Sequence, residues 1–269
     1  MDLSGKVAVV TGAGRGIGEA IAYEFGQVCR AVVVADRDTQ SADAVTKRLA
    51  DAGVTANAYV LDVTDETQMF GLIDDTQARY GQVDVMVSNA GIATGAGVDA
   101  PVPVWQDAFG VNVMAHVHAA NACLPGMRAR GSGTLVQIVS AAALTTMIGD
   151  APYTVTKHAA LGLAEWLAVT YGTDGIQVCA VCPQGVETRL LREQAGEVGE
   201  KVVRAAGDVL SPRAVARAVR QGVEANTFLI LPHADVAAFG QAKRADPERW
   251  IAGMQRFARK LDEDGSAEA

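Results

Sequence analysis

Short apolar segments alternate with longer amphipathic segments along almost the whole chain, and no other feature restricts the fold as strongly. The short segments are continuous apolar runs, which is typical of parallel strands buried on both faces of a sheet. They predict seven strands, at residues 7–11, 31–35, 57–61, 83–88, 135–140, 177–182 and 228–231. The segments between them predict helices at about residues 17–28, 39–52, 66–80, 104–130, 152–172, 212–225 and 247–261.

This order of elements predicts one α/β domain. Strands that alternate with helices at this spacing form right-handed βαβ units, and repeated units give a doubly wound, Rossmann-type fold of three layers with a seven-stranded parallel sheet. No linker or block of like charges interrupts the alternation, so residues 1–261 are predicted to form a single domain. The segment at about 184–210 is long for a connection and is interpreted as a lid. The small, acidic residues 262–269 are predicted to be a flexible tail.

Composition and charge exclude several classes of protein. Of the 269 residues, 49% are hydrophobic and 20% are charged, which is enough for a large core and excludes a disordered chain. The net charge of -8 argues against a surface that binds nucleic acids. Neither a signal peptide nor an apolar run of membrane-spanning length is visible, so we expect no membrane association and a cytoplasmic location.

Four cysteines are scattered along the chain, which suits a reducing compartment. Two of them, Cys179 and Cys182, form a C-x-x-C pair, a spacing that also occurs in redox and metal sites. Residues three apart on a strand point to opposite faces, and no second pair is present to complete a zinc site. We therefore expect buried thiols in the core and no metal.

A glycine-rich sequence, TGAGRGIG, directly follows the first predicted strand. Its glycines let the backbone turn tightly and approach a pyrophosphate, whose charge then meets the N-terminus of the next helix. The second strand leads to Asp36, whose carboxylate can accept hydrogen bonds from both hydroxyls of an adenosine ribose. The sequences LDV at 61–63 and SNAG at 88–91 end the next two strands, at the edge where open α/β sheets bind ligands. The dinucleotide site predicted here comprises Thr11, Gly12, Gly14, Arg15, Gly16, Ile17, Gly18, Asp36, Arg37, Asp62, Val63, Asn89, Ala90 and Gly91.

The charge of Asp36 bears on which nicotinamide cofactor fits. A carboxylate beside a 2′-phosphate costs about 4 kcal/mol for a pair about 4 Å apart at an effective dielectric constant of about 20. Arg15 and Arg37 are close in sequence, and a guanidinium can bind a phosphate. We expect Asp36 to dominate, which favours NAD and makes NADP the less favoured alternative.

Tyr153 and Lys157 lie four residues apart in DAPYTVTKHAALGLAEW and share one face of a predicted helix. Removal of a hydride from an alcohol requires a base for the hydroxyl proton, and a free tyrosine, with a pKa of about 10, is protonated at neutral pH. A lysine one turn away favours the phenolate. Ser140, at the end of the fifth strand, can donate a hydrogen bond to the substrate oxygen. A solvated surface pair is the alternative interpretation of Tyr153 and Lys157.

Together these motifs resemble the short-chain dehydrogenase/reductase family, and the resemblance covers nearly the whole chain. They occur in the family's order, with the glycine motif at 11–18, Asp62, NAG at 89–91, Asn112, Ser140, Tyr153-x-x-x-Lys157 and PQGVET at 183–188. The resemblance implies that Tyr153 is the general acid/base and that Lys157 also holds the nicotinamide ribose. It implies that Ser140 orients the substrate and that Asn112 seats a water in a proton relay.

The same resemblance assigns the remaining cofactor contacts. Asp62 is expected to contact the adenine, and residues 89–91 to line the cofactor ribose. The residues expected to hold the nicotinamide carboxamide are Pro183, Gly185, Val186 and Thr188.

The reaction expected is the NAD-dependent interconversion of a secondary alcohol and a ketone. After Ser140 the chain reads AAAL, where many family members carry a serine or glycine, and this apolar wall favours a hydrophobic substrate of ring or lipid type. Gln184 replaces a frequent glycine and is expected to add a polar contact. The predicted substrate residues are Ser140, Ala142, Met147, Tyr153, Gln184, Leu190 and Leu191. For Leu190 and Leu191, packing in the core or in an interface is the alternative.

Two other functions remain open on the sequence. A reductase that uses NADPH on carrier-bound or CoA-bound 3-ketoacyl chains is supported by Arg15 and opposed by Asp36. A nucleotide sensor without turnover is opposed by the presence of Ser140, Tyr153 and Lys157.

The resemblance also implies a homotetramer, or a homodimer, that packs through the predicted helices at 104–130 and 152–172. Two of the four histidines, His116 and His118, lie two apart on a predicted helix and point away from each other, so they do not form a metal pair. The other two histidines are His158 and His233, and all four are expected to have packing or structural roles.

Overall fold

The computed structural model describes residues 1–266 and has the α/β fold that the sequence predicts. The strands of this part of the chain are β1 (Val7–Thr11), β2 (Ala31–Asp36), β3 (Ala56–Val60), β4 (Val85–Ser88), β5 (Gly133–Ile138), β6 (Ile176–Val181), β7 (Gly185–Val186), β8 (Val209–Leu210) and β9 (Leu229–Ile230). Seven of them form a parallel sheet in the order β3-β2-β1-β4-β5-β6-β9. The order reverses between β1 and β4, and open α/β sheets bind ligands at such a reversal.

Helices cover both faces of this sheet. Their bounds are α1 (Gly16–Gly26), α2 (Thr39–Asp51), α3 (Glu66–Tyr80), α4 (Val102–Phe109), α5 (Ala115–Ala129), α6 (Ala151–Tyr171), α7 (Gly196–Ala205), α8 (Pro212–Glu224), α9 (Asp235–Ala245) and α10 (Pro247–Ser266). Four of the starts are fixed by side-chain caps, because Asp38, Asp65, Asp150 and Ser211 each accept the N–H of the third residue of the helix that follows.

Successive side chains of the strands point into two separate apolar cores. On one face Val9 and Leu135 pack with α3, α5 and α6. On the other face Ala8 and Val10 pack with α1, α2 and α8. Because both faces are covered, the strands are apolar at nearly every position, which is why their sequences are continuous apolar runs.

The two cysteines of the C-x-x-C pair point into different cores, as predicted. Cys179 packs with the side chains near α8, and Cys182 packs with those near α5 and α6. Both are fully buried, and neither forms a disulfide. None of the helices in the described part of the chain is both long and apolar enough to cross a membrane.

The prediction of one helix at 104–130 is wrong. The chain forms α4, then a π-helical turn at Gly110–Met114, and then α5. A π turn contains an additional residue, so it changes the direction in which the following side chains point, and such turns are frequent at functional sites. Here the turn contains the buried Asn112. Apolar periodicity does not distinguish it from a continuous α-helix, because the flanking residues keep their helical spacing.

The lid segment and the C-terminal region are more regular than the sequence predicts. Between residues 184 and 210, β7 pairs in parallel with β8, and a π-helical turn at Leu190–Gln194 leads into α7. Helix α9 has no counterpart in the sequence prediction. Helix α10 continues to Ser266, past the predicted end at residue 261. Residues 267–269 of the predicted tail lie outside the described residues.

Candidate active site

A cavity of about 1160 Å³ lies at the carboxyl ends of the central strands. It extends from Asp36, at the end of β2, past Tyr153 on α6, to aromatic side chains of α10. Most residues predicted for the site line it, namely Gly12, Arg15, Gly16, Ile17, Asp36, Arg37, Asp62, Val63, Asn89, Ala90, Gly91, Ser140, Ala142, Met147, Tyr153, Lys157, Pro183, Gln184, Gly185, Val186, Thr188, Leu190 and Leu191. Four other predicted residues do not line the cavity but contact residues that do, namely Thr11, Gly14, Gly18 and Asn112.

Glycines shape the turn between β1 and α1 because side chains there would collide with neighbouring atoms. Gly12 and Gly16 have left-handed backbone, with φ of 60° and 61°. A Cβ atom on Gly18 would lie 2.3 Å from the carbonyl oxygen of Gly12, and one on Gly14 would lie 2.9 Å from Oδ2 of Asp36. The turn therefore keeps the start of α1 close to both β1 and β2.

The start of α1 is suited to an anion. Its N-cap residue, Arg15, makes no side-chain hydrogen bond to the helix. The N–H groups of a first turn have no partner within their own helix, and the helix dipole adds positive potential there. Gly16 and Ile17 of this turn line the cavity. A pyrophosphate fits these donors without any further basic residue.

Asp36 places a buried carboxylate at the same end of the cavity. One carboxylate oxygen accepts the N–H of Gly14 at 2.9 Å, and the other accepts the N–H of Asp38 at 3.0 Å. These bonds use about half of the acceptor capacity of a carboxylate, so it can accept more from a ligand in the cavity. Arg15 and Arg37 also line the cavity, and within the described residues neither forms an ion pair.

Two of the predicted residues hold the loop after β4 against the loop after β1. The hydroxyl of Thr11 accepts the N–H of Asn89 at 3.0 Å. The side-chain amide of Asn89 donates to the carbonyl oxygens of Thr11 at 2.8 Å and Gly12 at 3.1 Å. Thr11 thus positions Asn89 and the glycine turn from behind the wall.

Asn112 joins three elements beneath the cavity. Its amide nitrogen donates to the carbonyl oxygen of Ile92 at 2.9 Å and to the hydroxyl of Thr156 at 3.0 Å. Its amide oxygen accepts the N–H of Ile92 at 2.9 Å. The side chain therefore fixes the loop after β4 to the π-helical turn and to α6, and its predicted role in seating a water stays a prediction.

Ser140, Tyr153 and Lys157 meet on one wall of the cavity. Ser140 follows β5, and its hydroxyl is close enough to the phenol of Tyr153 to act on the phenol pKa through a hydrogen bond. Lys157 lies one turn further along α6 than Tyr153, with its Nζ 5.5 Å from the centroid of the tyrosine ring. The Lys157 ammonium also donates to the carbonyl oxygen of Ile138 at 3.2 Å. The three side chains place a phenol between a hydroxyl and an ammonium.

Burial controls the ionisation of this group in the protein alone. Burial raises the pKa of Tyr153 to about 12, although the hydrogen bond from Ser140 acts in the opposite direction. Burial also lowers the pKa of Lys157 to about 8. In the protein alone the phenol pKa is therefore raised, whereas the charge of Lys157 considered by itself would lower it, because removal from water disfavours the charged forms of both groups.

Asp150 is a site residue that the motifs do not indicate. It is the N-cap of α6, and one carboxylate oxygen accepts the N–H of Tyr153 at 2.9 Å and the hydroxyl of Thr94 at 2.6 Å. The other oxygen accepts the N–H groups of Thr94 and Gly95, at 2.7 and 2.8 Å. Its place two residues before a proline and three residues before Tyr153 is a capping signal that could have identified it.

The far end of the cavity is apolar and is closed by the C-terminal helices. Four side chains from α9 and α10 line it, namely Phe239, Trp250, Met254 and Phe257. Lys243 of α9 donates to the carbonyl oxygen of Thr145 at 2.6 Å, which fastens these helices to the wall after Ser140. Gln184 lines the cavity too, but its amide donates to the carbonyl oxygen of Ala206 at 3.1 Å, so the lid uses part of its hydrogen-bonding capacity.

The predicted structural role of His233 is confirmed, since its ring accepts the N–H of Gln184 and donates to the carbonyl oxygen of Gly185. No group of three or more His, Cys, Asp or Glu side chains suited to a metal ion is found among the described residues.

A parallel sheet of this order, a glycine turn at an uncapped helix start and a Ser–Tyr–Lys group at the strand ends define a nicotinamide-dependent oxidoreductase. Comparison with known proteins agrees. The family model for short chain dehydrogenase matches residues 6–199. The chain is 33% identical over 190 residues to 7alpha-hydroxysteroid dehydrogenase of Escherichia coli (strain K12), covering 71% of this chain and 74% of that protein.

Two further proteins broaden the comparison. The chain is 34% identical over 215 residues to a putative ketoacyl reductase of Streptomyces coelicolor, covering 77% of this chain and 82% of that protein. Among solved structures, a short chain dehydrogenase/reductase from Burkholderia phymatum in complex with NAD matches with a TM-score of 0.84 and 26% identity, over 92% of this chain and 96% of that one. The chain belongs to the short chain dehydrogenase family, whose members use NAD or NADP to oxidise CH–OH groups or to reduce the corresponding carbonyl groups.

Proposed function

We propose that this protein is an NAD-dependent dehydrogenase that interconverts a secondary alcohol and a ketone on a hydrophobic substrate. The observation that carries the proposal is the meeting of Ser140, Tyr153 and Lys157 on one wall of a cavity whose other end is apolar. A hydroxyl, a phenol and an ammonium group are therefore placed together on the cavity wall.

The residues that would hold the cofactor follow from the fit of the cavity. The start of α1 would bind the pyrophosphate, and Asp36 would accept the hydroxyls of the adenosine ribose. Lys157 would donate to the nicotinamide ribose, and the turn at 183–188 would hold the carboxamide. When bound, the nicotinamide supplies the acceptor or donor of the hydride.

Residues of the chain transfer the proton between the substrate oxygen and the protein. In the oxidising direction Tyr153, as its phenolate, takes the hydroxyl proton of the alcohol, and in the reducing direction the neutral phenol gives its proton to the ketone oxygen. Ser140 donates a hydrogen bond to that oxygen and holds it beside the phenol. The positive charge of Lys157 favours the phenolate while the proton is away from Tyr153. Asp150 holds the first turn of α6, so the phenol stays aimed at the cavity.

NAD is the cofactor proposed, because Asp36 is buried at the ribose end and keeps acceptor capacity toward the cavity. A 2′-phosphate beside this carboxylate would be repelled by about 4 kcal/mol at an effective dielectric constant of about 20. The NAD-bound relative from Burkholderia phymatum supports the same choice.

The substrate proposed is a hydrophobic ring system or a lipid-like alcohol. The walls beyond Tyr153 combine the alanines after Ser140, the lid residue Leu191 and the aromatic side chains of α9 and α10. Apolar walls with a few placed polar groups are typical of sites for such ligands. The similarity to a hydroxysteroid dehydrogenase supports this class.

A second candidate is an NADPH-dependent reductase of 3-ketoacyl chains. It is favoured by Arg15 and Arg37, two cations without an ion pair among the described residues, at the ribose end of the cavity. The similarity to a putative ketoacyl reductase favours it as well. It requires a 2′-phosphate to be accepted beside Asp36, which is why it ranks second.

Assembly and location complete the proposal. Apolar side chains are exposed on α4 and α6, among them Val102, Trp166 and Val169. An interface built from these helices, in a homotetramer or a homodimer, would cover them. The four cysteines are unpaired, which suits the proposed cytoplasmic location.

Oxidation assays on a panel of apolar secondary alcohols, including hydroxysteroids, test the function. NAD and NADP are supplied separately, reduced cofactor is followed by absorbance, and the ketone is identified by mass spectrometry. A parallel panel supplies 3-ketoacyl thioesters with NADPH. Conversion of alcohols with NAD supports the first proposal. Reduction of thioesters with NADPH alone would establish the second candidate instead.

Ser140→Ala and Ser132→Ala provide the matched pair for this assay. Loss of a hydrogen-bond donor to the reacting oxygen costs about 100-fold to 1000-fold in kcat. Ser140→Ala should show that loss, whereas Ser132, which does not line the cavity, should tolerate the same change. Equal activity of the two variants would show that the hydroxyl of Ser140 has no role in turnover.

A further inference from the structure

A second polar cluster lies behind the cavity, on the side of the sheet that packs against α5 and α6. Its members are Ser88 on β4, Gln137 on β5 and His116 on α5. All three are at least nine-tenths buried, and none lines the cavity. Ser88 and Gln137 are partners in the register of β4 and β5, so they are neighbours on the same face of the sheet. Nδ1 of His116 is hydrogen-bonded to Oε1 of Gln137.

The hydrogen bonds within this cluster do not satisfy its polar atoms. Within the described part of the chain, Nε2 of His116, Nε2 of Gln137 and Oγ of Ser88 are buried without a partner. The bond between the ring and the amide uses one donor and one acceptor. Whichever way the amide and the tautomer are assigned, one donor and one acceptor remain. The Ser88 hydroxyl adds a third group, which can either donate or accept a hydrogen bond.

A buried water is the usual partner of such a set. Buried waters make about three hydrogen bonds to polar groups that are otherwise unsatisfied. A donor, an acceptor and a hydroxyl on adjacent elements provide three. Burial of polar groups without partners is costly, so three of them on neighbouring elements favour a ligand of this kind.

The cluster is linked to Lys157 through the backbone of β5. Gln137 precedes Ile138, whose carbonyl oxygen accepts the Lys157 ammonium at 3.2 Å. The positive charge of Lys157 acts on His116: burial lowers the pKa of His116 to about 4, and Lys157 lowers it too. His116 is therefore neutral at pH 7, and it presents dipoles rather than a second cation to the lysine.

Lys157 has few other partners for its charge. The titratable groups that face it are Tyr153 on its own helix, Cys182 next to β6 and His116 on α5. Asp150 at the start of α6 acts on Tyr153, and Glu165 further along α6 acts on Cys182. Among the described residues no carboxylate lies within 4 Å of the Lys157 ammonium. Its charge depends on dipoles, of which Ile138 supplies one.

We propose that Ser88, His116 and Gln137 form a buried water-binding site, and that His116 is a positioning residue through which this site keeps the Lys157 ammonium charged inside the fold. The importance of that charge for catalysis rests on the proposed function, whereas the water site and its effect on Lys157 do not. The water contributes oriented dipoles where no carboxylate is present, and it satisfies the three buried groups at the same time.

Titration of Lys157 by NMR, in protein with ¹³C-labelled lysine and without cofactor or substrate, tests this inference. The Lys157 signal is assigned by its loss in Lys157→Met. The variants are Ser88→Ala, Gln137→Leu, and a paired variant that carries both His116→Leu and Gln137→Leu. The paired variant removes both partners of the hydrogen bond, so neither polar side chain is left buried without the other. We expect the pKa of Lys157 to fall in each, by about half a pH unit or more in the paired variant, because an apolar surrounding disfavours the ammonium.

Thr76→Val is the matched control. Thr76 is also buried, but its hydroxyl donates within α3 to the carbonyl oxygen of Leu72, a residue of the same core, and not to Lys157. This variant should leave the pKa of Lys157 unchanged. A count of long-lived internal waters by ¹⁷O relaxation should fall by at least one in the paired variant and stay constant in Thr76→Val.

An unchanged Lys157 pKa in Ser88→Ala and in the paired variant would overturn the inference, as would an unchanged water count. The paired variant replaces polar groups by apolar ones of similar size, and Ser88→Ala removes a single atom, so a folded protein is available for the comparison. Since none of these readouts needs turnover, absence of dehydrogenase activity would refute the proposed function and leave this test intact.

Discussion

Asp150 holds Tyr153 in place through the backbone: one carboxylate oxygen accepts the N–H of Tyr153 at 2.9 Å. The same carboxylate accepts three hydrogen bonds from Thr94 and Gly95. The start of α6 and the loop after β4 are therefore fixed to one buried group. The phenol has its position because the turn that carries it cannot move independently of this loop.

Asp150→Ala should destabilise the protein and reduce turnover. The cap and the loop contacts are lost together, which predicts a loss of about 1–3 kcal/mol in the free energy of unfolding. Chemical denaturation measures this change, and steady-state kinetics should show a lower kcat. Asp150→Ser keeps a capping oxygen but not the loop contacts, so it should recover part of the stability. Equal stability of Asp150→Ala and wild type would show that the carboxylate has no such role.

The pH dependence of stability should report the burial of Lys157. The pKa of Lys157 is about 8 in the folded protein, whereas 10.5 is its ordinary value, which applies to the unfolded chain. Between pH 8 and pH 10.5 the unfolded chain therefore holds a proton that the folded chain has lost. Folding stability then rises with pH in this window. Relative to Lys157→Met, wild type without cofactor should gain about 2–3 kcal/mol between pH 7 and pH 10. Denaturation curves at constant ionic strength measure the difference, and a flat difference would mean that Lys157 is not buried as described.

Asp36→Asn should weaken the preference for NADH over NADPH by about tenfold or more. The change removes the charge that opposes a 2′-phosphate while it keeps the size of the side chain. Fluorescence titration with both reduced cofactors gives the ratio of Kd values. Asp43→Asn, an exposed carboxylate on α2, is the control and should leave the ratio unchanged. Wild-type preference for NADPH would mean that Arg15 and Arg37 outweigh Asp36.

Trp250→Ala and Phe257→Ala should lower kcat/KM for bulky substrates by about tenfold or more, because apolar contact at the far end of the cavity is lost. Small alcohols that do not reach α10 should be affected much less. Ile251→Ala is the matched control, since Ile251 is on the same helix but is half exposed and does not line the cavity. A uniform loss for small and large substrates would show that α10 acts on the fold rather than on the substrate.

The sequence predicts well both the sheet and the group formed by Ser140, Tyr153 and Lys157, and the reason is physical. Strands buried on both faces must be apolar throughout, so their positions are visible as runs, and β1 is predicted to the residue. The glycine turn and the side chains of Ser140, Tyr153 and Lys157 are adjacent to these elements in sequence. Their convergence follows from parallel strands ending at one edge of the sheet.

Features that depend on long-range contacts are not visible in the sequence. The π-helical turn around Asn112 is selected by hydrogen bonds to Ile92 and Thr156, which are 20 and 44 residues away. The aromatic wall of α10 lies at the cavity together with a long-range contact, the hydrogen bond from Lys243 to Thr145, 98 residues away. The raised pKa of Tyr153 is not visible for the same reason, because helical spacing shows the charge of Lys157 but not the burial of both groups.

Comparison of Tyr153→Phe with Tyr171→Phe tests the central proposal most directly. Both changes remove one phenol oxygen from α6, but Tyr171 is near the other end of the helix and does not line the cavity. For each variant we would measure kcat with NAD and an accepted alcohol, together with the Kd for NADH. Tyr153→Phe should lose about 100-fold to 10,000-fold in kcat with little change in Kd, and Tyr171→Phe should retain wild-type turnover. If Tyr153→Phe keeps most of its rate, the phenol is not the proton acceptor and the proposed mechanism is wrong.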